Sequence, residues 1–306
     1  MITLIVVLVF VTGGIFGFAV SRQDGEGAGD DIRIAGPVGD AVGSVGAEVS
    51  EIADAIDEAK ARADVEKRAA SRVIPHRGSS GSTMEHSFKA YDEALAAGAT
   101  CLEQDVVVSK DGTLYVSHDD NASRMCGVNK AFYNMTDAEI DQLTTPSGEK
   151  VHRLGEIFDK YGTGIEYVVE LKDEEVDMTQ PFIDLVKQHG YEDRVTAQCF
   201  SLDTLKELED VFPDMPKMYL CKYENLLDRG YEADYVDIIA PRDFMMTEAN
   251  VKRAHDLGKE FCSWPINSEG WIKDAIDMGV DRYFSDNVEL AIKIEKDYGV
   301  RKRQRQ

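Results

Sequence analysis

From Arg72 onward, short β-branched or apolar runs alternate with amphipathic stretches, and this alternation constrains the fold more than any other feature of the sequence. The runs are Val73-Ile74, Thr100 to Val108, Ile165 to Leu171, Val195 to Phe200, Lys217 to Cys221, Val236 to Ala240, Glu260 to Trp264 and Arg282 to Ser285. Between them lie helical patterns at His86–Ala97, Arg153–Tyr161, Thr179–His189, Leu202–Val211, a weaker one after Asn225, Glu248–Leu257, Glu269–Met278 and a last one from Val288. Eight strand-helix units in about 230 residues predict an α/β protein, a (β/α)₈ TIM barrel over residues 72–300. Lys110-Asp111-Gly112 interrupts the pattern with a tight hairpin turn, because Asp-Gly readily takes the positive φ that such turns need.

The first 71 residues do not share this pattern. Ile2 to Val20 carry no charge and no proline, and as a helix would reach roughly 28 Å, about the hydrocarbon thickness of a bilayer. Residues 1–21 therefore read as a transmembrane anchor or as a signal peptide, with Ala19-Val20-Ser21 supplying a small-x-small cleavage pattern. Residues 22–71 read as a stalk, flexible where Gly, Ala and Asp dominate and then helical, with Val49, Ile52, Ile56, Ala59 and Ala63 forming one narrow stripe. The expectation is a membrane-anchored or secreted protein, tied to the membrane through its N-terminal segment, with its folded domain outside the cytoplasm. Residues 301–306 form a basic tail.

The formal net charge is -23, from 34 Lys and Arg against 57 Asp and Glu, which disfavours nucleic acid as a partner. An anionic small molecule would need a local cluster of cations or a metal to hold it. Five cysteines without a C-x-x-C pair indicate neither a zinc ribbon nor a redox pair.

In barrels of this kind, reacting groups sit at the C-terminal ends of strands. Those positions here carry His76-Arg77-Gly78, Glu103-x-Asp105, His118-Asp119, Glu170-x-Lys172 and Trp264. Glu103 and Asp105 are two apart on a strand and point to one face. Two readings follow: a hard divalent cation, Mg²⁺ or Ca²⁺, held by Glu103, Asp105 and Glu170, or acids simply paired with Arg77 and Lys172. His76 and His118 suit a general acid and base, and Arg77 and Lys172 suit a phosphoryl oxygen. Trp264 either lines the substrate or caps the barrel. His86, His152, His189 and His255 read as structural or solvated, and Gly78 to Ser82 as a flexible loop.

Taken together, His76-Arg77-Gly78, Glu85, Ala97-Gly98-Ala99, Glu103-x-Asp105-Val106, Asp111-Gly112, His118-Asp119 and Glu170-x-Lys172 resemble the glycerophosphodiester phosphodiesterase family. Trp264 to Asn267, Gly279-Val280-Asp281 and Ser285-Asp286 resemble its C-terminal signature. The resemblance implies a barrel, a divalent metal on Glu103, Asp105 and Glu170, and acid-base catalysis by His76 and His118. It also implies cleavage of a glycerophosphodiester to glycerol 3-phosphate and an alcohol. Met84-Glu85-His86-Ser87 departs from the family's usual Pro-Glu-Asn-Thr, keeping Glu and losing Pro and Asn. The alternatives are a phospholipase D-like barrel acting on lysophospholipids and a non-catalytic, surface-anchored binding scaffold.

Overall fold

The computed structural model describes residues 72–172 and 175–299. The expectations for residues 1–21, 22–71 and 301–306 fall outside these described residues. Among the described residues no helix is long and apolar enough to cross a membrane.

Nine strands form one sheet: β1 (Val73–Pro75), β2 (Cys101–Val108), β3 (Leu114–Val116), β4 (Glu166–Leu171), β5 (Val195–Cys199), β6 (Lys217–Cys221), β7 (Ile238–Pro241), β8 (Glu260–Ser263) and β9 (Arg282–Ser285). Their spatial order is β1-β9-β8-β7-β6-β5-β4-β2-β3. All pairs are parallel except β2 with β3, the hairpin that Asp111-Gly112 predicts. Gly112 sits at φ 87° in that turn, and its N–H donates to the Ser109 carbonyl. The eight parallel strands match the eight expected runs, and helices such as Phe88–Ala97, Thr179–His189 and Glu269–Met278 alternate with them.

The sheet is TIM-barrel-like but curled, without the fully laddered closure of the expected barrel. No backbone ladder joins β1 to β2 among the described residues. The reason lies in β1: three residues long and ending in Pro75, it has few N–H groups to offer a second neighbour. The two strands still meet, since Cys101 Sγ lies 3.8 Å from the Val73 carbonyl oxygen and the Arg77 N–H reaches Glu103.

Period-two alternation divides the side chains into two layers. Ile74, Cys101, Val168, Met218, Leu220, Ile238, Ala240, Cys262 and Phe284 pack inside the curl. Val73, Leu102, Val106, Tyr167, Val169 and Leu171 face the helices and join the larger outer core. The parity that sends Cys101 and Val168 inward also sends Glu103, Asp105 and Glu170 inward. Polar groups thus occupy the interior toward the C-terminal strand ends, above an apolar floor.

The loop after β1 is held in place, contrary to the flexible reading of Gly78 to Ser82. The Ser79 N–H donates to the Ala90 carbonyl, the Gly81 N–H to that of Asp286, and Ser80 Oγ to the Asp286 carboxylate. Gly78 has φ +81°, and a Cβ there would lie 2.8 Å from the Ala90 carbonyl carbon. Gly78→Ala is therefore expected to destabilise the fold by about 3 kcal/mol, combining the left-handed backbone and a backbone clash. A denaturant titration checks this.

Candidate active site

Asp105 and Glu170 are direct ladder partners on β2 and β4, and Glu103 lies one inward-facing position below Asp105. One oxygen from each of these three buried carboxylates falls within 4.8 Å of the others. Lys172 Nζ stands 2.6 Å from Glu170 Oε1 and 3.1 Å from Asp105 Oδ1. Arg77 Nε is 3.1 Å from Asp105 Oδ2, while its Nη1 bonds Glu85 at 3.1 Å. The pairing anticipated as an alternative to a metal thus exists, but it is incomplete. Two cations face three acids, and Arg77 is shared with Glu85. Glu103 receives only two N–H groups, from the Arg77 backbone at 2.6 Å and from Gln198 Nε2 at 3.0 Å. An all-oxygen donor set of three buried carboxyl groups within reach of one another suits a hard divalent cation.

The acids differ in how they carry that charge. Burial pushes the Asp105 carboxyl upward, but Lys172, His86 and Arg77 outweigh it and hold the group well below its usual range. Burial, and then the Asp105 charge, drive Glu103 far above the ordinary value. Burial likewise pushes Glu170 up to about 8, against the pull of Lys172. The cation-free fold thus keeps protons on Glu103 and Glu170 that an unfolded chain would release above about pH 4.5. Groups that bind more protons folded than unfolded lose stabilising effect as pH rises, here up to about 8. His86 and His118, both depressed first by burial, slope the other way, but only below their ordinary value of 6.5. The melting temperature in chelator is therefore expected to fall between about pH 6.5 and 8. Saturating Mg²⁺ or Ca²⁺ is expected to reverse the fall.

Both expected histidines line the same cavity, of about 590 Å³, together with Arg77, Glu103, Glu170, Lys172 and Trp264. Asp105 does not itself line it but contacts two residues that do, Arg77 and Lys172. His76 Nδ1 is 2.6 Å from Asp286 Oδ1, and His118 Nδ1 is 2.8 Å from Asp119 Oδ1. Burial raises Asp286, but hydrogen bonds from His76, Asn267 and Ser80 outweigh it and hold the group at about 2. Asp286 is therefore an acceptor at neutral pH, so His76 Nδ1 carries a proton and its Nε2 is left to exchange one. Asp119, also depressed, is bonded by Arg124, which in turn bonds Glu85. Arg124, Glu85 and Arg77 thus link the His118 side of the cavity to the acids.

Several contributing residues escape a sequence reading. Asp286 stands 210 residues from His76, and only its place in the C-terminal signature hints at a site role. Gln198 is a buried amide on β5, a polar residue within an apolar run. His86, expected to be structural or solvated, is structural and supports the site. It is buried, with Nε2 2.9 Å from Asp105 and Nδ1 2.9 Å from the Tyr91 hydroxyl. His86 and Arg77 both sit at φ 58°, rare for residues with a Cβ. Those conformations let the Arg77 N–H reach Glu103 and let the His86 N–H bond the Arg77 carbonyl.

Buried acids, carboxylate-held histidines and two cations at the C-terminal mouth of a barrel-like sheet define a site for an anionic ester. The sequence profile of the glycerophosphoryl diester phosphodiesterase family matches residues 76–290. A glycerophosphodiester phosphodiesterase of Bacillus subtilis is 25% identical over 254 residues, covering 74% of this chain and 87% of its own. The structure of a glycerophosphodiester phosphodiesterase from Thermotoga maritima superposes with a TM-score of 0.63 at 25% identity, covering 73% of this chain and 98% of that one. An Oleispira antarctica phosphodiesterase, in complex with the product sn-glycerol-3-phosphate, gives a TM-score of 0.67 at 24% identity, covering 74% and 97%. The chain belongs to the glycerophosphoryl diester phosphodiesterase family and is an enzyme, a phosphoric diester hydrolase.

Proposed function

We propose that the chain hydrolyses a glycerophosphodiester to glycerol 3-phosphate and an alcohol, in a reaction that depends on a divalent cation and uses His76 and His118 as the proton carriers. The observation that carries this reading is the convergence of Glu103, Asp105 and Glu170, two of which line a cavity that also presents two carboxylate-held histidines.

Mg²⁺ or Ca²⁺ on the three acids would supply positive charge to a phosphoryl oxygen. Arg77 and Lys172 add the fixed positive field that brings an anion into a strongly acidic protein. Burial, and next the Lys172 charge, push the His118 imidazole below its ordinary range. At neutral pH it is uncharged and able to take a proton, with Asp119 orienting the ring. Asp286 accepts from His76 Nδ1 and leaves Nε2 for proton exchange, which assigns that ring to protonate the departing alcohol oxygen. Trp264 belongs to the substrate wall of the cavity. Membrane anchoring or secretion through residues 1–21, with the folded domain outside the cytoplasm, is part of the same proposal, supported by the uncharged run from Ile2 to Val20.

Phosphorus NMR of a reaction with glycerophosphoinositol or glycerophosphocholine tests the function. Glycerol 3-phosphate as the phosphorus-bearing product is the expected result. A phosphorylated headgroup would contradict this reading, and turnover restricted to lysophospholipids would replace it with the phospholipase D-like alternative. Absence of turnover on any diester would favour the scaffold.

A further inference from the structure

His86 is a buried histidine that the proposed chemistry does not use. It is only 3% exposed and is not among the residues that line the cavity. The segment around it holds the ring from both ends. Ser87 caps the helix Phe88–Ala97, its Oγ accepting from the Ala90 N–H. The first turn of that helix carries Tyr91, fully buried, whose hydroxyl stands 2.9 Å from His86 Nδ1. On the other side of the ring, Nε2 stands 2.9 Å from Asp105 Oδ2. A carboxylate only accepts, so the ring hydrogen lies on Nε2 and Nδ1 accepts from the Tyr91 hydroxyl. His86 keeps this place at φ 58°, an unfavourable backbone for a residue with a Cβ, and its N–H is tied to the Arg77 carbonyl at 3.0 Å. Strain kept in a residue that bonds a site acid points to a task beyond packing.

Asp105 has partners of two kinds. Arg77 Nε stands 3.1 Å from Oδ2 and Lys172 Nζ 3.1 Å from Oδ1, and both are the cations assigned above to a phosphoryl oxygen. Side chains that turn toward an anion cannot also fix the carboxyl. His86 can, because it is buried away from the cavity and is itself held at Nδ1. Its bond to Oδ2 leaves Oδ1, the oxygen that shares Lys172 with Glu170, for a cation. Resting on the function proposed above, we propose that His86 is a positioning residue for the cation site: oriented by Tyr91, its Nε2–H fixes the Asp105 carboxyl so that Oδ1 is presented beside Glu170. The family's usual motif has Asn at this place, so the imidazole is one of this chain's departures.

The test uses the full chain, after chelation, with Mg²⁺ or Ca²⁺ added back. Calorimetry reads cation affinity, and glycerophosphocholine hydrolysis is followed against cation concentration on the same samples. His86→Leu is expected to weaken cation binding by about 10- to 100-fold, the usual effect of losing a hydrogen-bond partner of a metal-binding side chain. The cation concentration for half-maximal hydrolysis should rise by the same factor, while kcat at saturating cation falls much less. His86→Gln, whose amide can donate to Asp105, is expected to recover most of the affinity. Tyr91→Phe, which frees the ring hydrogen to move to Nδ1, is expected to lose about tenfold or less. Melting curves show which variants are folded. Should His86→Leu not fold, Tyr91→Phe against His86→Gln decides: weaker binding in the first than in the second supports the proposal, and wild-type binding in the first overturns it. The proposal is also overturned if folded His86→Leu binds the cation as wild type does, if His86→Gln is no better than His86→Leu, or if His86→Leu lowers kcat with affinity unchanged. Wild-type hydrolysis that needs no cation would overturn the proposed function together with this inference. Cation-dependent hydrolysis that the His86 and Tyr91 variants leave unchanged would overturn this inference alone.

Discussion

Asp105→Asn is expected to lower kcat/KM on the order of 10³-fold or more, the largest effect of any isosteric change in this protein. Asp105 is the node of the site. Its two oxygens meet Lys172, Arg77 and His86, and it is the acid among the three that burial fails to neutralise. Asn keeps the volume and one acceptor but removes the charge on which a cation depends. The fold is expected to tolerate the change better than the chemistry does. With Asp105 neutral, the repulsion that helps keep Glu103 protonated disappears, so Glu103 can ionise and balance Arg77 and Lys172. A melting curve close to wild type, with calorimetric binding of Mg²⁺ or Ca²⁺ lost, separates this account from simple unfolding. Retained binding with retained activity would remove Asp105 from the metal site.

His118→Ala and His76→Ala are each expected to lower kcat by about 10²- to 10⁴-fold with cation binding intact, as for loss of a general base or acid. Neither histidine is bonded to the three acids: His118 pairs with Asp119 and His76 with Asp286. A variant that lost cation affinity as well would indicate a different arrangement. Asp286→Asn is expected to cost nearly as much as His76→Ala, because an amide in place of the carboxylate no longer fixes the proton on Nδ1. The pH–rate profile checks the assignment. The wild type should lose activity at low pH as His118 becomes charged, and His118→Ala should lose that limb.

The parts of this site that depend on local periodicity are legible in the sequence. Alternation gives the strands, Asp-Gly gives the hairpin, and the period of two puts Glu103 and Asp105 on one face. The order of β2 and β4 in the sheet then brings Glu170 beside Asp105. Contacts across the top of the sheet are hidden, because they join distant segments. His76 with Asp286, Glu103 with Gln198, and Phe200 with Trp264 each require the curl of the whole sheet to bring them together. The support from His86 is hidden for another reason. It needs a left-handed backbone at a non-glycine residue, which no propensity predicts. The gap in pairing between β1 and β2 turns on Pro75, whose missing N–H matters only once the neighbouring strands are known.

The most direct test of the central claim is a cation titration of chelated wild-type protein, read by calorimetry and by glycerol 3-phosphate release on the same samples. Occupancy of one site and hydrolysis rate are expected to rise together, with neither signal from Asp105→Asn. Full hydrolysis in the presence of chelator, or a rate that rises while Asp105→Asn responds equally, would contradict the assignment of Glu103, Asp105 and Glu170.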